Sequence, residues 1–238
     1  MTGPGFRQLG AAVGEAMDAV SAPAQPALVG QEHFVARRDI VRIAPLPVGR
    51  VLDVGCGPGL TGAALRAAGA TEVWGVERDA DLAHAAATRL DRVIQADLGD
   101  DPLLGLPPAS VDLLVYADVL EHLVDPWSVL AAQRALLRPG GAAVISLPNV
   151  RHIRVVGGLL LRGNFTYQAE GIMSIGHLRF FTTRSMRELI TGAGYRIVRE
   201  DANYAPRGRL LRRLSLGLFD DLAAEQRLFV ARAVGDRG

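Results

Sequence analysis

The stretch VLDVGCGPG at positions 51–59 constrains this chain more than any other feature. A short apolar run holding one acid, Asp53, passes into Gly55, Gly57 and Gly59, and a helix-like segment follows as far as Gly69. Glycine inside a regular element costs about 0.5–1 kcal/mol relative to alanine, so three in five positions need a reason. One reason is a backbone that must pass close to a ligand, where a Cβ would collide. The helix that follows offers unpaired N–H groups at its first turn. Strand, glycine turn and helix together form a nucleotide-binding device. A tight turn that only saves space is the other reading.

The flanking pattern favours the first. Short apolar strands alternate with helical stretches: RVLDV (50–54), EVWGVE (72–77), RVIQAD (92–97), VDLLVYAD (111–118) and AAVISL (142–147). Such alternation predicts a parallel sheet covered by helices on both faces. Helices are expected over 61–68, over 79–90 with Asp79 as N-cap, and over 126–137 with Pro126 in the first turn. Upstream, 5–20 and 31–44 read as two helices joined by SAPAQPALVG. Past Leu147 the alternation stops, and positions 148–180 show no clean period. A helix at 183–191, a strand YRIVRE, an Arg-rich helical stretch at 207–219 and a strand RLFVARA complete the chain. The expected organisation is an N-terminal helical cap, 1–47, and one domain, 48–238, with a substrate-side insertion at 148–180.

Polar residues recur at strand ends. Glu77 ends the second strand, where a carboxylate can accept both hydroxyls of a ribose. Asp97 ends the third, where it can accept from the amine of an adenine. Three consecutive strand ends build one crevice along the carboxyl edge of the sheet. A dinucleotide site wants G-x-G-x-x-G, but GCGPGL puts Leu60 at the third glycine, and Asp53 would face a pyrophosphate unfavourably. S-adenosylmethionine, with an ammonium, a sulfonium and no phosphate, reverses that argument.

Composition removes other classes. All 26 basic residues are Arg, which excludes a lysine Schiff base and a P-loop lysine. The single cysteine, Cys56, allows no internal disulfide and suits a reducing cytoplasm. A net charge of +1 gives no global attraction to nucleic acid or anionic membrane, and the apolar run VVGGLLL at 155–161 is too short to span a bilayer. The N-terminal stretch mimics a signal peptide, but Glu15 and Asp18 interrupt it. The expected partner is a small molecule in the cytoplasm, without nucleic acid or stable membrane insertion; a homodimer stays open.

The segments VLDVGCGPG, GVE, ADVLEHLVDP and LLRPGG resemble the successive motifs of class I S-adenosylmethionine-dependent methyltransferases, over roughly positions 48–147. PNVRH and HLRFFT extend the likeness toward bacterial small-molecule enzymes related to the ubiquinone-type O-methyltransferases. The resemblance implies an α/β, Rossmann-like, seven-stranded, mostly parallel sheet with helices on both faces, an antiparallel last strand beside the sixth, an N-terminal helical lid and an insertion after strand 5. It implies S-adenosylmethionine as cofactor and S-adenosylhomocysteine as product. The backbone of Gly55, Cys56, Gly57 and Gly59, with Asp53, would line the methionine portion. Glu77 would hold the ribose, Arg78 would flank the adenine, and Asp97 with Leu98 would hold its edge. Tyr116 to Asp118 would lie beside the methionine portion.

Methyl transfer to a hydroxyl needs alignment and removal of a proton. His122, after the fourth strand in LEHL, is the first candidate base, and neutral imidazole suits the task. His177, in GHLRFF, is the second. Each also has a packing reading. Substrate-binding candidates are His152 in PNVRH, Arg179 beside His177, and His33 on the N-terminal helix. His84 reads as a surface residue, and Glu121 as a solvated or structural acid. No metal site is expected, because Asp118 and Asp125 lack an obvious third ligand. Arg207, Arg209, Arg212 and Arg213 form a solvated basic face, a phosphate clamp or a membrane-surface contact. The expected activity is O-methylation of a sugar or secondary metabolite. Its rivals are N-methylation of an amine, an NAD-dependent dehydrogenase, and a silent cofactor-binding partner.

Overall fold

Residues 34–214, 216 and 218–234 are described by the computed structural model. The expected helix at 5–20 and His33 lie outside these residues. The elements in chain order are α1 (Arg38–Ile43), β1 (Val48–Val54), α2 (Leu60–Ala67), β2 (Ala70–Glu77), α3 (Ala80–Ala87), β3 (Arg92–Gln95) and β4 (Val111–Ala117). They continue with α4 (Pro126–Gln133), β5 (Leu137–Pro148), α5 (Ile153–Arg162), α6 (Thr183–Gly192), β6 (Tyr195–Asn203), α7 (Pro206–Leu214), α8 (Asp220–Ala223) and β7 (Gln226–Ala233). Short 3-10 turns stand at Leu120–His122 and Arg134–Leu136.

The strands form one seven-stranded sheet in the order β3-β2-β1-β4-β5-β7-β6. β1 to β5 run parallel, and β7 lies antiparallel between β5 and β6. This is the Rossmann-like arrangement with helices on both faces. Strand parity divides the apolar residues into two cores. Leu52, Val54, Trp74, Val76, Leu114, Tyr116, Ala143 and Ile145 face one side, where Leu130, Met186 and Ile190 of α4 and α6 cover them. Val51, Val73, Leu113, Val115, Ala142 and Val144 face the other, against Leu65 of α2, Ala86 of α3 and Ile40 and Ile43 of α1.

Local chemistry sets the helix starts. Asp79 caps α3 by accepting from the N–H groups of Asp81 and Leu82, and Asp125 caps α4 through Ser128 N–H with Pro126 in the first turn. Thr182 and Ser185 cap α6 reciprocally. Three boundaries differ from expectation. Of the helix expected over 31–44, the described residues hold Arg38–Ile43. The Arg-rich helix ends at Leu214. Within 148–180 the chain forms α5, ten residues with none buried. Among the described residues no helix is long and apolar enough to cross a membrane.

Candidate active site

The glycine turn is built as its spacing requires. Gly55, Gly57 and Gly59 all hold positive φ, +66°, +52° and +81°. A Cβ on Gly55 would stand 2.7 Å from Val119 Cγ2, and one on Gly57 would stand 3.0 Å from Phe34 Cε1. Phe34 therefore lies across the turn from outside. Below it Asp53 is fully buried, with Oδ2 lacking a hydrogen-bond partner. Burial pushes its carboxyl up to about 7; the Gly62 N–H offsets part of this and the Glu77 charge adds to it. Glu77 accepts from Gly57 N–H and Asp79 N–H, both at 3.0 Å, which ties the second strand end to the turn. Cys56 is buried beside Gly75, and burial raises its thiol far above the ordinary range, so it is inert packing.

A cavity of about 190 Å³ opens over this turn, lined by Gly55, Glu77, Arg78, Asp97, Leu98, Asp118, Val119 and His122 among others. It continues past Arg78 and Asp97 into an open groove. Asp97 itself folds back to accept Gly99 N–H at 2.8 Å. Of the residues expected around the cofactor, Gly55, Glu77, Arg78, Asp97, Leu98 and Asp118 line this cavity, whereas Asp53, Cys56, Gly57 and Gly59 lie in or beneath the turn. Tyr116 points elsewhere. Its parity on β4 turns the ring into the first core, where the hydroxyl donates to Gln133 Oε1 at 2.6 Å, so its side chain cannot line the crevice.

Asp118 stands at the hinge of the site. Its φ of +61° is a left-handed conformation, which aspartate tolerates better than most non-glycine residues. Its carboxylate pairs with Arg37 and accepts from Ser146 Oγ at 2.9 Å and Gln226 Nε2 at 3.0 Å. Arg37 also bonds Asp39, Ser146 and Gln226, and its own N–H reaches Thr61. The strap Phe34–Arg37 is thereby fastened to both edges of the turn.

Asp118 also lines a second, larger cavity of about 550 Å³, with Glu121, His152, Arg154, Phe165, Gln168, His177 and Glu225 among its walls. Where the two cavities approach, His122 and His177 meet ring edge to ring face, centroids 4.8 Å apart. His122 Nδ1 lies 2.9 Å from Gly176 O, and His177 Nδ1 lies 3.1 Å from Ile172 O. Carbonyl oxygens only accept, so both Nδ1 atoms carry protons and both Nε2 atoms keep lone pairs in the neutral rings. Burial lowers the pKa of each; the Gly176 bond opposes this at His122, and the His122 charge reinforces it at His177.

Of the two readings of Glu121, solvated or structural, burial excludes the first. It is completely buried, and neither carboxylate oxygen has a hydrogen-bond partner. Burial pushes its pKa well up, and the Asp118 charge adds to the shift. Its Oε1 lies 4.0 Å from His177 Nε2, and its backbone carbonyl accepts from Leu178 and Arg179 N–H, pinning the insertion to the end of β4. The apolar letters around LEHL held the only sequence signal of this burial. Glu121, His122 and His177 offer one ligand atom each within 4.8 Å of one another, a donor set where none was expected.

The remaining candidates separate. His152 lines the large cavity, 4% exposed, with Nδ1 unpartnered. Arg179 turns away: it donates to Leu178 O and Val124 O and lies over the Trp127 ring, lining neither cavity. His84 is exposed on α3. Arg212 pairs with Asp220 at 2.9 Å and lies over Tyr204.

A glycine turn, an acidic second strand end and a crevice along the carboxyl edge of this sheet define the site of a methyltransferase domain. The chain matches the Methyltransferase domain family over residues 30–200 and belongs to it. The family and the fold imply S-adenosylmethionine as cofactor. A "Probable S-adenosylmethionine-dependent methyltransferase" of Mycolicibacterium smegmatis is 33% identical over 178 residues, covering 72% of this chain and 63% of its own. The ubiquinone biosynthesis O-methyltransferase of Xanthomonas campestris pv. campestris is 35% identical over 108 residues, 44% of this chain and 45% of its own. The chain therefore spans less than two thirds of either relative. The solved S-adenosylmethionine-dependent methyltransferase of Mesorhizobium loti shares the fold, with a TM-score of 0.57 at 20% identity, covering 82% of this chain and 96% of that one.

Proposed function

We propose that this chain transfers the methyl group of S-adenosylmethionine to a hydroxyl of a small-molecule acceptor such as a sugar or secondary metabolite. The observation that carries this reading is the meeting of two cavities at Asp118, with the free Nε2 atoms of two neutral histidines at their junction. The cofactor supplies an electrophilic methyl carbon on sulfur and leaves as S-adenosylhomocysteine. Glu77, Asp97 and Leu98 hold its nucleoside end, and Gly55 and Asp118 line its methionine end, with the buried Asp53 beneath the turn. His122 Nε2 takes the proton as the acceptor oxygen forms its bond to carbon. His177 and Glu121 close the acceptor side of the junction. Alignment of this kind is worth on the order of 7–11 kcal/mol in well-oriented systems, and a positioned base adds about 10²–10⁴-fold.

The ubiquinone biosynthesis relative supports oxygen as the target atom. An amine acceptor needs less help from a base. Labelled methyl transfer to matched hydroxyl and amine acceptors, in the wild type and in His122→Ala, separates the two. Loss confined to hydroxyl acceptors supports the reading; turnover of amines alone, insensitive to the substitution, overturns it.

The unpartnered Glu121 carboxylate favours a second reading, in which Glu121, His122 and His177 hold a divalent cation. Ligands on a tetrahedral ion at about 2.1 Å stand about 3.4 Å apart, so the 4.0 Å between Glu121 and His177 must contract slightly. Such a cation would supply Lewis acidity to the acceptor. Metal analysis of the purified protein, with activity measured before and after chelation, decides between the readings.

A further inference from the structure

The large cavity has an inverted wall. An amphipathic helix normally turns its apolar stripe inward. On α5 the apolar Ile153, Leu160 and Leu161 are exposed, and Arg154, Gly158 and Arg162, spaced four apart and with both arginines also reaching solvent, line the cavity together with Val155. Neither arginine makes an ion pair or a side-chain hydrogen bond with any described residue, whereas Arg37, Arg50, Arg138 and Arg227 all do. Arg154 stands in the first turn, where the peptide dipoles already place positive charge. That turn contains no acid, and its N-cap residue, His152, gives no capping hydrogen bond. Val155 and Val156 N–H return to His152 O, which leaves the N–H groups of Ile153 and Arg154 without a partner among the described residues. His152 is 4% exposed, lines the same cavity and has an unpartnered Nδ1.

Arg154, two unpartnered N–H groups and the buried His152 thus meet at the start of the helix, and Arg162 lines the same cavity from its last turn. The buried imidazole without a partner is costly, and an anion beside it would also pair with the cations and the N–H groups. Acids also line the cavity. Asp118 is neutralised by Arg37, and Glu121 is held toward its protonated form. Glu225 is the remaining acid, near His152, and provides an acceptor for hydroxyl groups of a ligand.

We infer that the acceptor carries an oxyanion, a carboxylate or a phosphate, seated on His152, Arg154 and Arg162, with its methylated group directed toward His177 and Asp118. This rests on the reading of the large cavity as the acceptor site. Eight residues of helix separate the two arginines by about 12 Å, so a compact anion lies between their side chains and a diphosphate spans them.

The test uses the full chain saturated with S-adenosylhomocysteine, titrated calorimetrically at low and at moderate salt. The probes are 3,4-dihydroxybenzoate, its neutral amide, and pyrophosphate. The expected result is at least tenfold tighter binding of one anion than of the amide, weakening with salt. Arg154→Gln with Arg162→Gln should remove that preference and leave the amide and S-adenosylhomocysteine unchanged. Preference for the benzoate identifies a carboxylate acceptor, and preference for pyrophosphate a phosphorylated one. Anions that bind no tighter than the amide, or equally well to the double variant, overturn the inference. Binding of S-adenosylhomocysteine is read separately in the same instrument, so its absence would sink the methyltransferase reading instead. Both arginines are exposed, and an unchanged thermal midpoint confirms that the double variant is folded.

Discussion

Replacing Asp53 by Asn should stabilise the cofactor-free protein, and by more as pH rises. The carboxyl is completely buried and pushed up to about 7, against about 3.9 in an unfolded chain. Below both values folded and unfolded chains are protonated alike, and the group costs nothing. As pH climbs past the lower value the unfolded chain gives up its proton first, so stability falls until the folded form ionises as well. At 1.36 kcal/mol per unit, the full gap is about 4 kcal/mol, of which about 1.5 is lost by pH 5 and nearly all by pH 8. Asparagine keeps an oxygen for Gly62 N–H and does not titrate. The advantage of Asp53→Asn over the wild type should therefore widen by about 2.5 kcal/mol between pH 5 and pH 8. Urea denaturation of both proteins at half-unit steps measures it, and other titrating groups cancel in the difference. An advantage constant to within about 0.5 kcal/mol across that range would refute the argument from burial. The same substitution should weaken S-adenosylmethionine binding, because a cationic cofactor stabilises the ionised form.

Glu77→Ala should weaken S-adenosylmethionine binding by about 1.5–3 kcal/mol, measured by calorimetry on a variant shown to be folded. His122→Ala and His122→Asn should both lower kcat on a hydroxyl acceptor by about 10²–10⁴-fold with cofactor affinity near wild type. The wild-type rate should rise with pH through a midpoint below the usual imidazole value, since burial favours the neutral ring. Tyr116→Phe should leave cofactor affinity unchanged while costing about 1 kcal/mol or more in stability, through loss of the bond to Gln133. Phe34→Ala should loosen cofactor binding, seen as faster release of S-adenosylhomocysteine in stopped flow.

The smaller cavity was legible because its residues stand where strand ends must place them. Gly55, Glu77 and Asp97 follow three consecutive parallel strands, so topology alone brings them to one edge. Tyr116 misled for a reason the alternation itself contains. It shares parity with Leu52, Val54 and Leu114, and those residues face α4 and α6 rather than the crevice. The larger cavity was far less legible. The α5 segment carries two glycines and an outward apolar stripe, a pattern that fits no buried face, so its helix was hidden in a stretch without period. The burial of Glu121 is imposed from a distance, by Leu178 and Arg179 closing over its carbonyl. Arg37, Ser146 and Gln226 meet at Asp118 from positions up to 189 residues apart, a coincidence that no local spacing encodes.

The place of β7 between β5 and β6 has a consequence for the order in which a ribosome can finish the molecule. The walls of the smaller cavity come from residues 55–123, contributed by neighbouring parallel strands that can pair as soon as they emerge. The larger cavity also needs Glu225 and Gln226, which arrive only when β7 threads between two strands made earlier. Long-range pairings of that kind form late, because loop closure must precede any gain from contact. During synthesis the chain should therefore pass through a stage with the smaller cavity lined, though Asp118 still lacks Gln226, and the larger cavity missing a wall. A nascent chain stalled before β7 should then retain S-adenosylhomocysteine while failing to enclose an acceptor.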